Sequence, residues 1–197
     1  MSPPLVVGIG GTPGAASSTA AALRTALAAA ERLGVRTVLF DGDALAGLPL
    51  YLTPGARDHP VALELIAAVR SASGLIIASP GYHGSVSGLV KNALDYLEAL
   101  ARDERPYLHG LPVGLIATAW GWQATGTTLA ALRSIVHALR GWPTPLGAAV
   151  NTAQVRFAEG RCSDASVAQQ LALIGEQVAS FRPALPLGDR EEVGGML

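Results

Sequence analysis

Apolar positions along this chain follow two alternating rhythms. Short, largely apolar runs occur at Leu5–Ile9, Val35–Phe40, Leu75–Ala78, Pro112–Thr118 and Leu146–Val150. Between them lie longer segments whose polar residues recur every three or four positions. These segments predict helices over Ala20–Leu33, Pro60–Ser71, Gly88–Ala101, Thr127–Arg140 and Ser163–Phe181. In the first, Arg24, Glu31 and Arg32 make a solvent face, and Gly34 supplies a stop. Pro60 sits at a first-turn position, where its missing N–H is no loss. Residues Asp43–His59, with Gly47, Pro49, Pro54 and Gly55, read as a long loop.

Strands without in/out alternation, separated by helices, predict a parallel sheet covered on both faces. Right-handed crossovers then favour an α/β three-layer sandwich with a five-stranded sheet in the flavodoxin-like order 2-1-3-4-5. In that order strands one and three are neighbours at the topological switch point, so the loops that follow them converge on one crevice. One domain is expected over residues 1–183. The stretch after Arg182, with Pro183, Pro186, Gly188, Gly194 and Gly195, predicts a mobile tail over residues 184–197.

Composition narrows the range of partners. At 197 residues, with half of them hydrophobic, the chain can bury a single good core. A formal net charge of −1 and 15% charged residues give no electrostatic reason to expect nucleic acid or a membrane surface. No run approaches the roughly 18 apolar residues of a membrane span. The single Cys162 rules out an intrachain disulfide and fits a reducing compartment, so a cytoplasmic location is expected. The four histidines are scattered without paired ligand spacing, which predicts no metal site.

Candidate chemistry lies in the loops. After the first strand comes Gly8-Ile9-Gly10-Gly11-Thr12-Pro13-Gly14-Ala15-Ala16-Ser17-Ser18-Thr19. Pro13 stands where a dinucleotide fingerprint needs its third glycine, and there is no P-loop lysine motif. What remains is a glycine-bearing turn followed by three hydroxyl residues at a helix start. Free N–H groups, the helix dipole and the Ser/Thr hydroxyls favour a terminal phosphomonoester there. Helix capping by any one of the three hydroxyls is the competing explanation.

The second loop, Ser79-Pro80-Gly81-Tyr82-His83-Gly84-Ser85, follows the third strand and leads into Gly88-Leu89-Val90-Lys91-Asn92-Ala93-Leu94-Asp95. Backbone polar groups beside one aromatic face suit a flat heteroaromatic ring. On the helix, Val90, Ala93, Leu94 and Leu97 make the expected core stripe, and Gly88, Lys91, Asn92 and Asp95 a polar one. Lys91 before Asp95 is the weaker orientation for an intrahelical pair.

This long motif resembles the flavin loop of the flavodoxin-like NAD(P)H-dependent FMN reductases, and the order of elements is similar from Leu5 to Phe181. The Ser-Ser-Thr run resembles flavin reductases that serve two-component monooxygenases. The resemblance implies FMN as cofactor, with NADPH or NADH as co-substrate. It implies that Ser17, Ser18 and Thr19 hold the phosphate with Thr12 nearby, and that Pro80, Gly81, Tyr82, His83, Gly84 and Ser85 line the isoalloxazine. Thr118, Ala119, Trp120 and Gly121, continuing into Trp122 and Gln123, would close the other side. It also implies a homodimer or homotetramer with the Gly88–Asp95 helix at the interface, and a small-molecule electron acceptor or a flavin-dependent monooxygenase as partner. Family members often carry an arginine in the first loop. Here none precedes Arg24, which leaves open whether FMN is retained or released. The acceptor is also open among free FMN, quinones, azo or nitro compounds and a metal oxyanion. A flavodoxin-type electron carrier is the alternative from a different class; the near balance of 14 basic and 15 acidic residues argues against it. No residue is assigned a catalytic role, because hydride transfer of this kind belongs to the cofactor.

Overall fold

The computed structural model describes residues 3–158 and 160–182. The expected tail, residues 184–197, lies outside them. Five parallel strands form the sheet: β1 (Leu5–Gly10), β2 (Arg36–Phe40), β3 (Gly74–Tyr82), β5 (Pro112–Ala119) and β6 (Trp142–Asn151). Their spatial order is β2-β1-β3-β5-β6. This is the expected order, renumbered because a sixth, two-residue strand, β4 (Ser85–Val86), pairs antiparallel with the end of β3.

Helices cover both faces, as continuous burial of the strands requires. α3 (Pro60–Ser71), α4 (Gly88–Asp95) and α5 (Trp122–Ala138) pack on one side, against Val7, Ile9, Leu75, Ile77, Val113 and Leu115. α1 (Ser18–Glu31) and α6 (Ala165–Ser180) pack on the other, against Val6, Ile76, Ala78, Ile116, Ala148 and Val150. Alternate residues of each strand thus feed two separate cores. Each such fully buried Leu, Ile or Val side chain contributes about 1.5–3 kcal/mol from apolar surface removed from water.

Several boundaries differ from the sequence expectation, each for a physical reason. β3 runs on to Tyr82, because Ser79 and Pro80 stay in register with Ala117 and Thr118 of β5 while Gly81 and Tyr82 pair with β4. β6 begins at Trp142 rather than Leu146. It is an edge strand, which tolerates Pro143 and Pro145, and its register with β5 shifts between Val113 and Leu115. α5 begins at Trp122, five residues before the expected Thr127. The predicted Gly88–Ala101 helix is α-helical only to Asp95 and tightens to a 3₁₀ turn over Tyr96–Leu100. The long loop contains α2 (Gly42–Ala46), capped by the Asp41 carboxylate, and a 3₁₀ turn at Ala56–Asp58. A two-stranded hairpin of β7 (Phe157–Ala158) and β8 (Arg161–Cys162) precedes α6.

Asn92 falls on the polar stripe predicted for a subunit interface, and the fold uses it within the chain. Its Oδ1 accepts from the Tyr51 N–H at 2.8 Å and its Nδ2 donates to the Pro49 carbonyl at 2.9 Å. The Tyr96 hydroxyl donates to the same carbonyl at 2.8 Å, and the Tyr51 and Tyr96 rings meet edge-on. Together these contacts pin the 49–51 segment to α4. Lys91 and Asp95 do form an i,i+4 ion pair at 2.6 Å despite their orientation. Among the described residues, no helix is long and apolar enough to cross a membrane.

Candidate cofactor site at the carboxyl edge of the sheet

Three loops meet where β1, β3 and β5 end. Gly10 lies beside Ala78, and Pro80 beside Thr118, so the segments that follow start from adjacent positions on the sheet edge. Loop one leaves β1 through Gly10, whose φ of +143° and tight approach to the Ala78 carbonyl exclude a side chain; a Cβ there would sit 1.8 Å from that oxygen. The loop then closes on Ser17. The Ser17 hydroxyl accepts from the Thr12 N–H at 2.9 Å and from the Ala20 N–H at 3.1 Å, so it is both the N-cap of α1 and the clasp of the loop.

The neighbouring hydroxyls are disposed differently. Thr19 is 3% exposed and its Oγ1 lies 2.6 Å from the Oγ1 of Thr118, which is 2% exposed. This bond joins loop one to the end of β5 across 99 residues of sequence. Ser18 is half-buried and, among the described residues, its hydroxyl makes no hydrogen bond. Helix geometry leaves the N–H groups of Ser18 and Thr19 without intrahelical partners, while Ala20 is served by Ser17. The start of α1 therefore presents the unspent Ser18 hydroxyl and two N–H groups, and the Thr12 hydroxyl of the same loop is also without a hydrogen bond among the described residues. That donor set fits a phosphate.

The second loop is a tight hairpin rather than an open turn. His83 and Gly84 have φ of +51° and +88°, the two-residue geometry that matches strand twist, and glycine takes the second position without strain. Behind the hairpin, Ser79 is fully buried; its Oγ accepts from the Ser87 N–H at 2.9 Å, and the Ser87 hydroxyl in turn caps α4. Thr128 of α5 donates to the Ser85 carbonyl at 3.3 Å. Gly81 packs against α5, with its Cβ position 2.4 Å from Thr128 Oγ1, so it serves packing rather than an open surface. Tyr82 is 54% exposed, and His83 and Gly84 are also exposed, at the hairpin tip.

The third loop turns at Trp120 and Gly121. Gly121 is the N-cap of α5 and supplies no side chain to cap it. Gly84, Trp120, Gly121, Gln123, Ala124 and Thr127 line an open groove of about 440 Å³. That volume lies within the range of cofactor and ligand clefts, and a Cβ at Gly84 or Gly121 would meet only open space. Trp120 is 72% exposed above the groove, and Trp122 is turned out to solvent at the first helical position. Ala124 and Thr127 escape the sequence reading because α5 starts five residues early, which puts them beside the groove in its first two turns. Ser79 and Ser87 escape it because nothing local distinguishes a buried serine from a loop serine.

The start of α2 also reaches loop one. The Gly14 N–H donates to Asp43 Oδ1 at 2.9 Å, and Arg24 is bridged to Asp41 at 2.9 Å. The first basic residue of the chain is therefore matched by a carboxylate.

The profile of the family described as NADPH-dependent FMN reductase matches residues 4–155, a span that holds all three loops. The chain belongs to that family. Two curated relatives resemble the chain in part. An NADPH azoreductase from Bacillus sp. (strain OY1-2) is 36% identical over 87 residues, covering 42% of this chain and 46% of the relative. An FMN-dependent NADPH-azoreductase from Staphylococcus aureus is 34% identical over 123 residues, covering 60% of this chain and 61% of the relative. The matches thus span about half to three-fifths of the length of these relatives. Among solved structures, the flavoenzyme NAD(P)H:(acceptor) oxidoreductase FerB from Paracoccus denitrificans superposes with a TM-score of 0.72 at 20% identity, over 89% of this chain and 95% of that one. The flavodoxin-like fold expected for the FMN reductase family is the fold observed.

Proposed function

We propose that this chain is an NAD(P)H-dependent FMN reductase acting at the crevice formed by loop one, the β3–β4 hairpin and the Trp120 loop. The observation that carries the reading is the Thr19–Thr118 bond, which holds the phosphate-competent start of α1 against the end of the strand that leads to the groove. An anion site and a flat open groove thus belong to one rigid unit, as a ligand with a ring at one end and a phosphate at the other requires. The chemistry supplied by FMN when bound is two-electron transfer from NADPH or NADH to an acceptor.

In this reading the residues bind and orient. Ser18, with the N–H groups of Ser18 and Thr19, holds the phosphate; Ser17 and Thr12 shape the loop around it, and Thr19 and Thr118 set its height above the sheet. Pro80, Gly81, Tyr82, His83, Gly84 and Ser85 flank the ring with backbone groups and the Tyr82 face. Thr118, Ala119, Trp120 and Gly121 form the opposite wall, with Trp120 over the space where nicotinamide and acceptor take turns. Positioning of this kind supplies rate without a general base.

Two features favour an aromatic acceptor beside free flavin: the groove is open, and Trp120 offers a flat face to a planar partner. The azoreductase names of the curated relatives support the same acceptor class. The homodimer or homotetramer reading draws support from the large apolar side chains left outside the core, among them Leu50, Leu52, Trp122 and Trp142. A cytoplasmic location fits the single Cys162. A partner monooxygenase would take reduced flavin from the same crevice.

The test is steady-state NADPH and NADH oxidation by the purified protein, with FMN added and then a quinone or azo dye. Turnover well above the rate of free flavin is expected. No turnover with any of these acceptors overturns the assignment.

A further inference from the structure

The electrostatics of loop one are unusual for a site meant to hold a near-dianionic phosphate tightly. Asp43, in the first turn of α2, reaches it with a carboxylate, while the Arg24 guanidinium of α1 is bridged to Asp41. Asp43 matters more than its exposure suggests, because it is bonded to the loop itself. Its Oδ1 takes the Gly14 N–H at 2.9 Å, from 29 residues away. Gly14 has a φ of +93°, and space is open around it, so this N–H lies on the same exposed turn that leads to Ser17 and Ser18. A loop amide of the sort that serves phosphate elsewhere is thus occupied by a carboxylate, which brings a negative charge onto the loop that leads to Ser18 and Thr19.

We propose that Asp43 is a specificity-determining residue: its carboxylate lowers the affinity of loop one for the phosphate of FMN, so the site prefers FMN over riboflavin only weakly and FMN exchanges as a substrate. The inference rests on the proposed placement of the FMN phosphate at loop one. With Arg24 and Asp41 paired to each other and Asp43 bonded to the loop, that placement depends on N–H groups, the Ser18 hydroxyl and the helix dipole, all of which act over short range. The ring, by contrast, is held by the hairpin and the Trp120 loop, which carry no charge that distinguishes FMN from riboflavin. The same argument accounts for the arginine-free loop: both features reduce retention of the phosphorylated flavin.

Asp43→Asn is the discriminating variant, because asparagine keeps an oxygen that can accept from the Gly14 N–H and removes only the charge. Titrating FMN and riboflavin into wild type and variant by flavin fluorescence gives four dissociation constants. One charge acting on a near-dianionic phosphate across a partly exposed loop corresponds to about tenfold at low ionic strength. The FMN constant of Asp43→Asn should therefore fall about tenfold, with riboflavin unchanged. At about 1 M salt, where the screening length is about 3 Å, most of the gain should vanish. Equal constants for FMN in wild type and variant, or an equal shift for both flavins, overturn the role of Asp43 and leave the reductase reading standing. A wild-type protein that binds neither flavin overturns both.

Discussion

Replacing Thr118 by valine removes one hydroxyl and almost nothing else. The residues are close in shape, and valine suits a strand position. In the native chain Thr118 Oγ1 and Thr19 Oγ1 are 2.6 Å apart and both are sealed from water. A hydrogen bond of this kind contributes about 1 kcal/mol net, but leaving its partner buried and unpaired costs about 1–3 kcal/mol. Thr118→Val should therefore destabilise the fold by about 2 kcal/mol, and Thr19→Val by a similar amount. The double variant removes both polar groups, leaves no orphan, and should lose little more than either single one. The expected coupling in the double-mutant cycle is about 1–2 kcal/mol. Urea unfolding at constant m-value measures it, with a shift in midpoint taken as the change in stability. Additive single effects, with coupling below about 0.5 kcal/mol, would show that the two hydroxyls do not depend on each other, and the tie between loop one and β5 would fail as the organising contact of the site. The same three variants, titrated with FMN, should lose affinity while retaining the folded spectrum.

Other consequences follow from named contacts. Ser18→Ala removes the unspent hydroxyl at the start of α1; FMN affinity should fall about tenfold while riboflavin affinity and urea stability stay as in wild type, as read by fluorescence titration and unfolding curves. Asn92→Ala leaves the Tyr51 N–H without its partner and should cost about 1–3 kcal/mol, with limited proteolysis newly cutting near residues 49–51. Burial raises the pKa of Tyr96 above the ordinary tyrosine value, so the folded state keeps the phenol protonated where the unfolded chain loses its proton. Its contribution is complete below pH about 10 and is lost as pH rises through the raised folded value. Tyr96→Phe should thus be less stable than wild type at neutral pH, with the gap narrowing above pH about 10 in urea titrations; a gap that widens there contradicts the argument.

Much of the architecture is legible in the chain because burial leaves a local trace. Leu75-Ile76-Ile77-Ala78 reads as a strand covered on both faces, and Val90, Ala93, Leu94 and Leu97 recur at helical spacing because α4 and the 3₁₀ turn after it share one buried face in the core. Boundaries were less legible where a distant segment decides them. Pro80 and Gly81 discourage a strand locally, yet β3 continues through them because β5 and β4 offer partners on either side. Trp142-Pro143-Thr144-Pro145 looks unlike a strand, and is one only because β6 lies at the sheet edge. Asn92 shows only as part of a polar stripe in the sequence because its two partners, Pro49 and Tyr51, come from a segment more than forty positions away.

The site divides along the same line. The sequence by itself determined which loops carry donors and an aromatic face, since Gly-rich turns after buried strands and hydroxyls before a helix are local patterns with local causes. It also determined the sheet order, because connection handedness and buried strands leave few alternatives. Only the tertiary structure decided how the hydroxyls are shared: Ser17 to the cap, Thr19 to Thr118, and Ser18 left without a partner among the described residues. It alone brought Asp43 to Gly14 and started α5 early enough to place Ala124 and Thr127 on the groove. Hydrogen-bond partners are chosen by proximity in space, and residues 29 or 99 positions apart share no periodicity that could announce the choice.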